Sequence, residues 1–136
     1  MTTSDWTSII NSTEEITSIY ATPPNLRECA LYYVQIDERC TSVTLAFETS
    51  SLPSNPPRSW AEREYNTVEF YVKFTGVERL RITGWDFTAR DAEVTLTSLG
   101  NEGVRVSVDA PGSHLAFTAS SSFVTRTRPF LSSRMS

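Results

Sequence analysis

The sequence predicts a mainly β protein, and three features of the chain support that prediction. Apolar and polar side chains alternate strictly over long stretches, such as residues 68–74, which is the period of a half-buried strand and not of a helix. Turn residues separate the alternating blocks at short intervals. One short segment near the N-terminus has helical spacing. We therefore predict about seven short antiparallel strands in meander order, folded as a curved sheet or an open sandwich with one short N-terminal helix.

The predicted helix follows residue 11. Ser12 or Thr13 can cap its first turn, where Glu14 and Glu15 complement the positive end of the helix dipole. The two prolines at positions 23 and 24 end it. Its apolar stripe consists of Ile16, Ile19 and Tyr20.

The first two strands are predicted as a hairpin over residues 30–36 and 41–47 that turns at residues 38–39. This register places Cys29 and Cys40 at opposite ends of the hairpin, about 25 Å apart and far beyond disulfide reach. Two free thiols are typical of a protein in a reducing compartment. On one face the hairpin is predicted to carry Ala30, Tyr32, Val34 and Ile36 beside Val43, Leu45 and Phe47.

Five further strands follow a long proline-rich connection over residues 49–65, in which Trp60 is expected to pack down. A three-residue turn is predicted to join strands three and four as a hairpin, with Val72 opposite Leu80 and Phe70 opposite Ile82. The remaining strands and turns are located by alternation and by glycine, proline and asparagine signals. The five predicted strands cover residues 67–74, 78–83, 92–97, 104–108 and 114–119.

Length and composition indicate a single folded domain. A chain of 136 residues with 39% hydrophobic content can bury a core without disulfides or metals. We expect residues 1–125 to form this domain and residues 126–136 to form a flexible C-terminal tail. The net charge of −4 disfavours a nucleic acid or an anionic membrane as the partner, but it is compatible with a basic protein. Without a signal peptide or an apolar span of roughly 18 residues, the protein is expected in the cytoplasm.

Few side chains carry reactive chemistry. His114 starts a strand beside Ser113 without a nucleophile elbow, and Asp86 and Asp91 lie in a loop without calcium-loop spacing. Neither cysteine lies at a helix N-terminus or beside a histidine in the sequence. An enzyme would need a cleft that gathers Asp86, Asp91 and His114. The sequence predicts a binding protein that uses no metal or cofactor, and not an enzyme.

Two kinds of side chain are candidates for binding. Trp60 and Trp85 can line a ligand groove, or they can cover an open end of the core. Tyr71, on the polar face of its strand, is the better aromatic candidate for an exposed contact. Acidic side chains in loops and on outward strand positions can form a contact patch for a cationic partner. These acidic residues are Asp37, Glu38, Glu48, Glu62, Glu64 and Glu69.

An ordered set of motifs carries a family resemblance. The set comprises Trp6 with Ile10-Asn11, Pro24-x-Leu26, the Leu31–Ile36 and Val43–Phe47 hairpin, Pro57-x-x-Trp60, Asn66-Thr67-Val68, Phe74-Thr-Gly-Val77 and Ile82-x-Gly84-Trp85. In this order and spacing, residues 5–119 resemble the immunity protein 50 family of bacterial polymorphic toxin systems. The C-terminal tail lies outside the resemblance. The resemblance implies a small cytoplasmic inhibitor that binds a cognate toxin domain and neutralises it, without cofactor or turnover.

The resemblance also separates scaffold from contact residues, because residues that touch a toxin vary within such families. It implies scaffold roles for Trp60, Asn66, Gly84 and Trp85, with Gly84 allowing a tight bend at a strand end. We expect the toxin to contact the outward face of strands three and four and the loop before them. The candidate contact residues are Glu62, Tyr65, Glu69, Tyr71 and Arg81.

The sequence leaves open an alternative function and a possible homodimer. The alternative function is a small-ligand or carbohydrate-binding β-domain, with Trp60 and Trp85 as its stacking platform. An exposed sheet edge also leaves room for a homodimer, because an unpaired strand edge can pair with a second copy of itself.

Overall fold

Two four-stranded antiparallel sheets make up the part of the chain described by this computed structural model, residues 6–85 and 92–133. The sheets do not close into a barrel, so the predicted mainly β fold class is confirmed. Two short helices precede the sheets, α1 (Trp6–Ile9) and α2 (Glu14–Thr17). The strands are β1 (Ala30–Asp37), β2 (Ser42–Thr49), β3 (Thr67–Thr75), β4 (Glu78–Thr83), β5 (Glu93–Ser98), β6 (Val104–Ala110), β7 (Ser113–Ala119) and β8 (Ser121–Phe130).

The strand order differs from the predicted meander. Sheet A has the order β1-β2-β3-β8, and sheet B has the order β4-β7-β6-β5. The predicted β3–β4 hairpin is therefore wrong, because β3 pairs with β2 and β8 while β4 pairs with β7. The chain passes from sheet A to sheet B at Gly76, beside the return from β7 to β8, where the Ser120 amide donates to the Thr75 carbonyl at 3.0 Å. Alternation fixes the face that a strand buries but not the strand that it pairs with.

Strand β8 is the one strand of the two sheets that the sequence analysis did not predict. It pairs with β3 along its length, from Ser121 opposite Thr75 to Phe130 opposite Thr67. Residues 126–130, expected to begin a flexible tail, are instead the end of this strand. The other edge of β8 is bordered by Ser12, whose amide donates to Ser122 and whose carbonyl accepts from Val124.

The core fills the space between the sheets, and the N-terminal helices contribute to it. Trp6 is fully buried and stacks on Phe70 of β3, with ring centroids 5.4 Å apart. Phe74 of sheet A meets Phe117 of sheet B edge to face at 5.3 Å, so a single core joins both sheets. Burying each such ring contributes about 2–3 kcal/mol. The predicted helical stripe is buried as expected, and it consists of Ile16, Ile19 and Tyr20.

The helix prediction needs two corrections. Helix α1 was not predicted, and α2 is a single turn rather than a full amphipathic helix. Thr13 lies at the N-cap of α2 as proposed, but its side chain makes no capping hydrogen bond. Tertiary burial of the apolar residues therefore holds this segment, because a four-residue helix has no independent stability.

The predicted β1–β2 hairpin is confirmed, with one irregularity that shapes the surface. Val34 pairs with Leu45 on the predicted inner face, but the register shifts between Leu31 and Tyr33. Leu31 pairs with the inward-facing Phe47, so the prediction that Ala30 and Tyr32 share this inner face is wrong. The bulge brings the Tyr32 side chain to the outer side of the sheet, next to Tyr33.

Both cysteines are free, as their positions in the hairpin predicted. Cys29 is half-buried at the open end of the hairpin, and Cys40 is exposed at the turn. Burial is the main cause that raises the pKa of the Cys29 thiol to about 12, which keeps this cysteine protonated and unreactive near neutral pH.

A candidate protein-binding face

The outer face of sheet A carries a cluster of tyrosine and arginine side chains around one buried carboxylate. We call this surface the tyrosine face. It consists of Tyr32 and Tyr33 of β1, Glu69 and Tyr71 of β3, and Arg126 and Arg128 of β8.

Cross-strand register builds the centre of the face. Tyr33, Ala46, Tyr71 and Arg126 lie opposite one another on the four adjacent strands. Because Ala46 has only a methyl group, the rings of Tyr33 and Tyr71 meet across it edge to face, with centroids 6.0 Å apart. Ala46 points outward and yet is fully buried, as expected of a methyl group under these rings. Tyr33 itself remains 40% exposed.

The neighbouring row holds an ion pair beneath the surface. Nε of Arg128 lies 2.9 Å from Oε1 of Glu69, whose side chain is only 8% exposed, against 47% for Arg128. The N–H is not aligned well enough for a hydrogen bond, so Oε1 is paired by charge alone. A carboxylate this deeply buried is costly to desolvate and depends on its cation.

Tyr32 connects this ion pair to the aromatic cluster. Its hydroxyl oxygen lies 3.3 Å from the hydroxyl oxygen of Tyr71, and it also interacts with the Glu69 carboxylate. Burial, followed by these hydrogen bonds, raises the pKa of Tyr32 above its ordinary value. The guanidinium carbon of Arg126 lies 5.7 Å from the Tyr71 ring centre, in cation–π range. One connected network therefore runs from Arg128 to Arg126.

This composition is the one found at the buried centres of protein interfaces. Tyrosine and arginine are enriched there because they combine a large contact area with directional hydrogen bonds. Rings that already hold one another in place lose little further entropy on binding. The face is suited to bind another protein surface without rearrangement.

The five predicted contact residues do not lie on one surface of the structure. Glu69 and Tyr71 lie together on the tyrosine face, whereas Arg81 lies on β4 in sheet B. The expected common face of strands three and four does not exist, because those strands belong to different sheets. Glu62 is exposed in the connection before β3, and Tyr65 packs edge to face on Trp60 at 5.6 Å.

The predicted acidic patch also changes. Glu69 was expected as one of its outward carboxylates, but it is buried and paired with Arg128. It is therefore not available to a cationic partner. Alternation in the sequence correctly predicted that Glu69 lies on the outward face of its strand. It could not predict the tyrosine rings and guanidinium groups that bury Glu69 there, because these come from other strands.

The four residues given scaffold roles lie away from the tyrosine face or at its margin. The Asn66 side chain accepts a hydrogen bond from the Ser132 amide at 2.8 Å and donates one to the Ser132 carbonyl at 3.1 Å. These two bonds hold the segment that follows β8 against the start of β3. Gly84 has φ +64°, and a Cβ there would lie 2.0 Å from the Gly112 carbonyl oxygen. Only glycine fits this tight bend.

The tryptophans do not form an open stacking platform. Trp60 is 6% exposed and Trp85 is half-buried against the core. A carbohydrate platform needs ring faces that a sugar can reach, so the burial of Trp60 counts against the ligand-binding alternative.

His114 has partners that do not form a catalytic arrangement. Its Nδ1 lies 2.5 Å from Oδ1 of Asp109, and Oδ2 of Asp109 accepts from the Ser107 hydroxyl at 2.8 Å. The carboxylate thus separates the hydroxyl from the imidazole, which cannot take the serine proton as a triad requires. Asp86 and Asp91, the other members of the predicted cleft, lie outside the described residues.

Residues 6–85 and 92–133 contain neither a candidate metal site nor a candidate membrane-spanning helix. No group of three or more histidine, cysteine, aspartate or glutamate side chains in these ranges could hold a metal ion. No helix in the same ranges is long and apolar enough to cross a membrane.

Sequence reasoning missed four members of the tyrosine face, namely Tyr32, Tyr33, Arg126 and Arg128. A signal for the first two was present, because Leu31 and Val34 are both inward and lie three residues apart, which breaks the two-residue period and marks a bulge. The two arginines belong to a strand whose serine-rich and basic sequence resembles a tail.

The fold and the tyrosine face together define a β-sandwich suited to protein recognition. The family model for immunity protein 50 matches residues 12–130. The chain therefore belongs to the immunity protein 50 family. The match includes β8, which the resemblance over residues 5–119 left out. No curated protein and no solved structure matches the chain.

Proposed function

We propose that this protein neutralises a cognate bacterial toxin domain by binding it directly through the tyrosine face, in the cytoplasm of the producing cell. Membership of the immunity protein 50 family supports the immunity role. The cluster of three tyrosines and two arginines on a partly exposed sheet face is the observation that supports direct contact. The proposed inhibition uses no cofactor and involves no turnover.

The tyrosine face contains more than the stability of the fold requires. The outer face of an antiparallel sheet can be filled with small polar side chains that water solvates. Here a buried carboxylate and its arginine replace such side chains, although a buried ion pair is weak evidence for stability. A binding role explains this arrangement, because the network holds Tyr71 and Arg126 in fixed positions before a partner arrives.

The size of the face fits the centre of an interface. The whole outer face of sheet A, which contains the tyrosine face, has four strands about 4.8 Å apart and eight residues long and covers roughly 500 Å². A stable complex buries about 800 Å² on each partner, so flanking segments must contribute the rim. The connection before β3, with exposed Glu62 and half-buried Tyr65, borders this sheet and supplies rim candidates.

Co-expression tests the proposal directly. The toxin domain encoded beside this protein is induced in bacteria with and without it, and survival is counted. We expect cells to survive only with the immunity protein, and the two purified proteins to form a 1:1 complex, which is the stoichiometry of one face on each chain. Protection without a complex would contradict direct binding, and death in both cultures would contradict the immunity role.

A further inference from the structure

We infer that the toxin surface seated on the tyrosine face presents a carboxylate group to Arg126. The inference rests on the proposed function and adds the chemistry of the partner at the contact. It also reverses the sign of charge that the overall composition favours, since a protein of net charge −4 is expected to seek a basic partner.

The charges of the face are unequally compensated. The guanidinium group of Arg128 neutralises Glu69 at 2.9 Å, so this pair contributes little net charge. Arg126 is exposed, and the ring of Tyr71 is its contact among the described residues. Lys73 lies two residues after Tyr71 on the same side of β3 and adds a second cation. The part of the face around Tyr71 is therefore positive.

The other acidic groups on the outer face of sheet A, Glu48 and Asp37, are too far from Arg126 to change this. Asp37 lies three strands from Arg126 on β1 and is paired with Arg39 at 3.8 Å. Glu48 lies opposite Glu69, in the row that already contains Arg128. Two strands and one row separate Glu48 from Arg126, on the order of 10 Å. At that distance water and salt screen most of the attraction between two partly exposed charges.

Arg126 is also prepared to receive an anion. Its position against the Tyr71 ring restricts the guanidinium group and leaves N–H groups free to donate. A carboxylate matches the planar fork of an arginine with two parallel hydrogen bonds. A docked surface would exclude water, which strengthens the interaction further.

A protein carboxylate fits these charges better than a nucleic acid does. A polyanionic backbone needs a stripe of several cations, and its binding is opposed by a chain of net charge −4. One arginine and one lysine beside three tyrosines can instead receive one or two acidic side chains within an otherwise aromatic contact.

A charge reversal with a matched control tests the inference. Arg126→Glu and Arg105→Glu change the net charge equally, and both residues are exposed arginines on strands, but Arg105 lies on β6 of sheet B. Affinity for the toxin domain is measured by calorimetry, with thermal unfolding as the folding control. We expect Arg126→Glu to weaken binding roughly 100-fold and Arg105→Glu less than about threefold. The neutral Arg126→Gln should weaken it about tenfold.

A charge swap then identifies the partner group. Acidic residues of the toxin domain are changed to arginine one at a time, and one of them should restore binding to Arg126→Glu. Equal losses for Arg126→Glu and Arg105→Glu would overturn the inference while leaving the proposed function intact. Failure of the unmodified protein to bind the toxin would overturn both. Binding of a short single-stranded oligonucleotide, abolished by Arg126→Glu, would assign the face to nucleic acid and also overturn the inference.

Discussion

The outer faces of the two sheets have the same number of strands and very different chemistry. Among the described outward positions of sheet B there is no tyrosine, tryptophan or phenylalanine. Small polar and charged side chains occupy those positions, including Thr95, Thr97, Arg105, Ser107 and Thr118. The outer face of sheet A carries three tyrosines, Tyr32, Tyr33 and Tyr71. The core lies between the inner faces of the two sheets, so the outer aromatic cluster is the part of sheet A that the proposed binding role would account for.

The two faces also differ in their ion pairs. Glu69, paired with Arg128, has a side chain that is 8% exposed. His114 and Asp109 on sheet B have side chains that are 43% and 54% exposed. Removing one partner of a buried pair leaves a charge without compensation, whereas water readily replaces a partner at the surface. Similar distances in the two pairs therefore represent very different energies.

The largest expected effect comes from removing the aromatic centre of sheet A. The double variant Tyr33→Ala, Tyr71→Ala should weaken toxin binding about 1,000-fold, or about 4 kcal/mol, because hot-spot tyrosines each contribute 2 kcal/mol or more. The matched variant on sheet B, Thr95→Ala with Thr97→Ala, should change affinity less than about twofold. Calorimetric titration well below the unfolding temperature separates binding from stability. Equal effects of the two double variants would show that the faces do not differ in function.

A smaller effect, on stability, should distinguish the partners of the buried ion pair. Arg128→Gln leaves the Glu69 carboxylate buried without a cation and should lower the free energy of unfolding by about 3 kcal/mol. Glu69→Gln leaves a half-exposed guanidinium group that water can solvate, so its loss should be about 1 kcal/mol. Urea unfolding of both variants, with Arg105→Gln on sheet B as the control, measures the asymmetry. If Glu69→Gln costs as much as Arg128→Gln, desolvation of the carboxylate is not the dominant cost.

Alternation in the sequence predicted the inner faces well. The β1–β2 hairpin, the inward residues of β7 and the packing of Trp60 all follow from period two and from side-chain hydrophobicity. Alternation did not predict which strands pair with one another. Alternation assigns Phe70, Leu80 and Ile82 to the apolar side of their strands whichever strands pair, so the pattern could not choose between a β3–β4 hairpin and the observed crossing at Gly76. In the observed arrangement Ile82 remains 47% exposed, although the predicted hairpin placed it opposite the buried Phe70.

The tyrosine face was only partly predictable for a related reason. Tyr71 was selected because it is a large ring on a polar face, but its neighbours come from a bulge on β1 and from β8. Both depart from simple alternation: the bulge inserts an extra residue, and β8 begins within a run of serines. Three-dimensional register, rather than local pattern, brings Tyr33, Tyr71 and Arg126 into one row.

The smallest expected effect is the pH dependence of the exposed pair on sheet B. The hydrogen bond from His114, followed by that from Ser107, holds the pKa of Asp109 below its ordinary value. A depressed carboxyl pKa stabilises the folded state above the ordinary aspartate pKa of about 3.9, and that contribution is lost as the pH falls through the lower folded value. Because Asp109 is about half exposed, solvent screening limits its contribution to on the order of 0.5 kcal/mol.

Thermal unfolding of the unmodified protein and of Asp109→Asn between about pH 7 and pH 2.5 measures this contribution. The unmodified protein should be slightly more stable at neutral pH, and the difference should shrink as the pH falls below the ordinary aspartate pKa. Thr95→Ala, an exposed change on the same sheet without an ionisable group, should give a difference that does not depend on pH. A loss at neutral pH as large as that of Arg128→Gln would mean that exposed and buried pairs contribute equally, and the contrast between the two faces would then rest on the tyrosines alone.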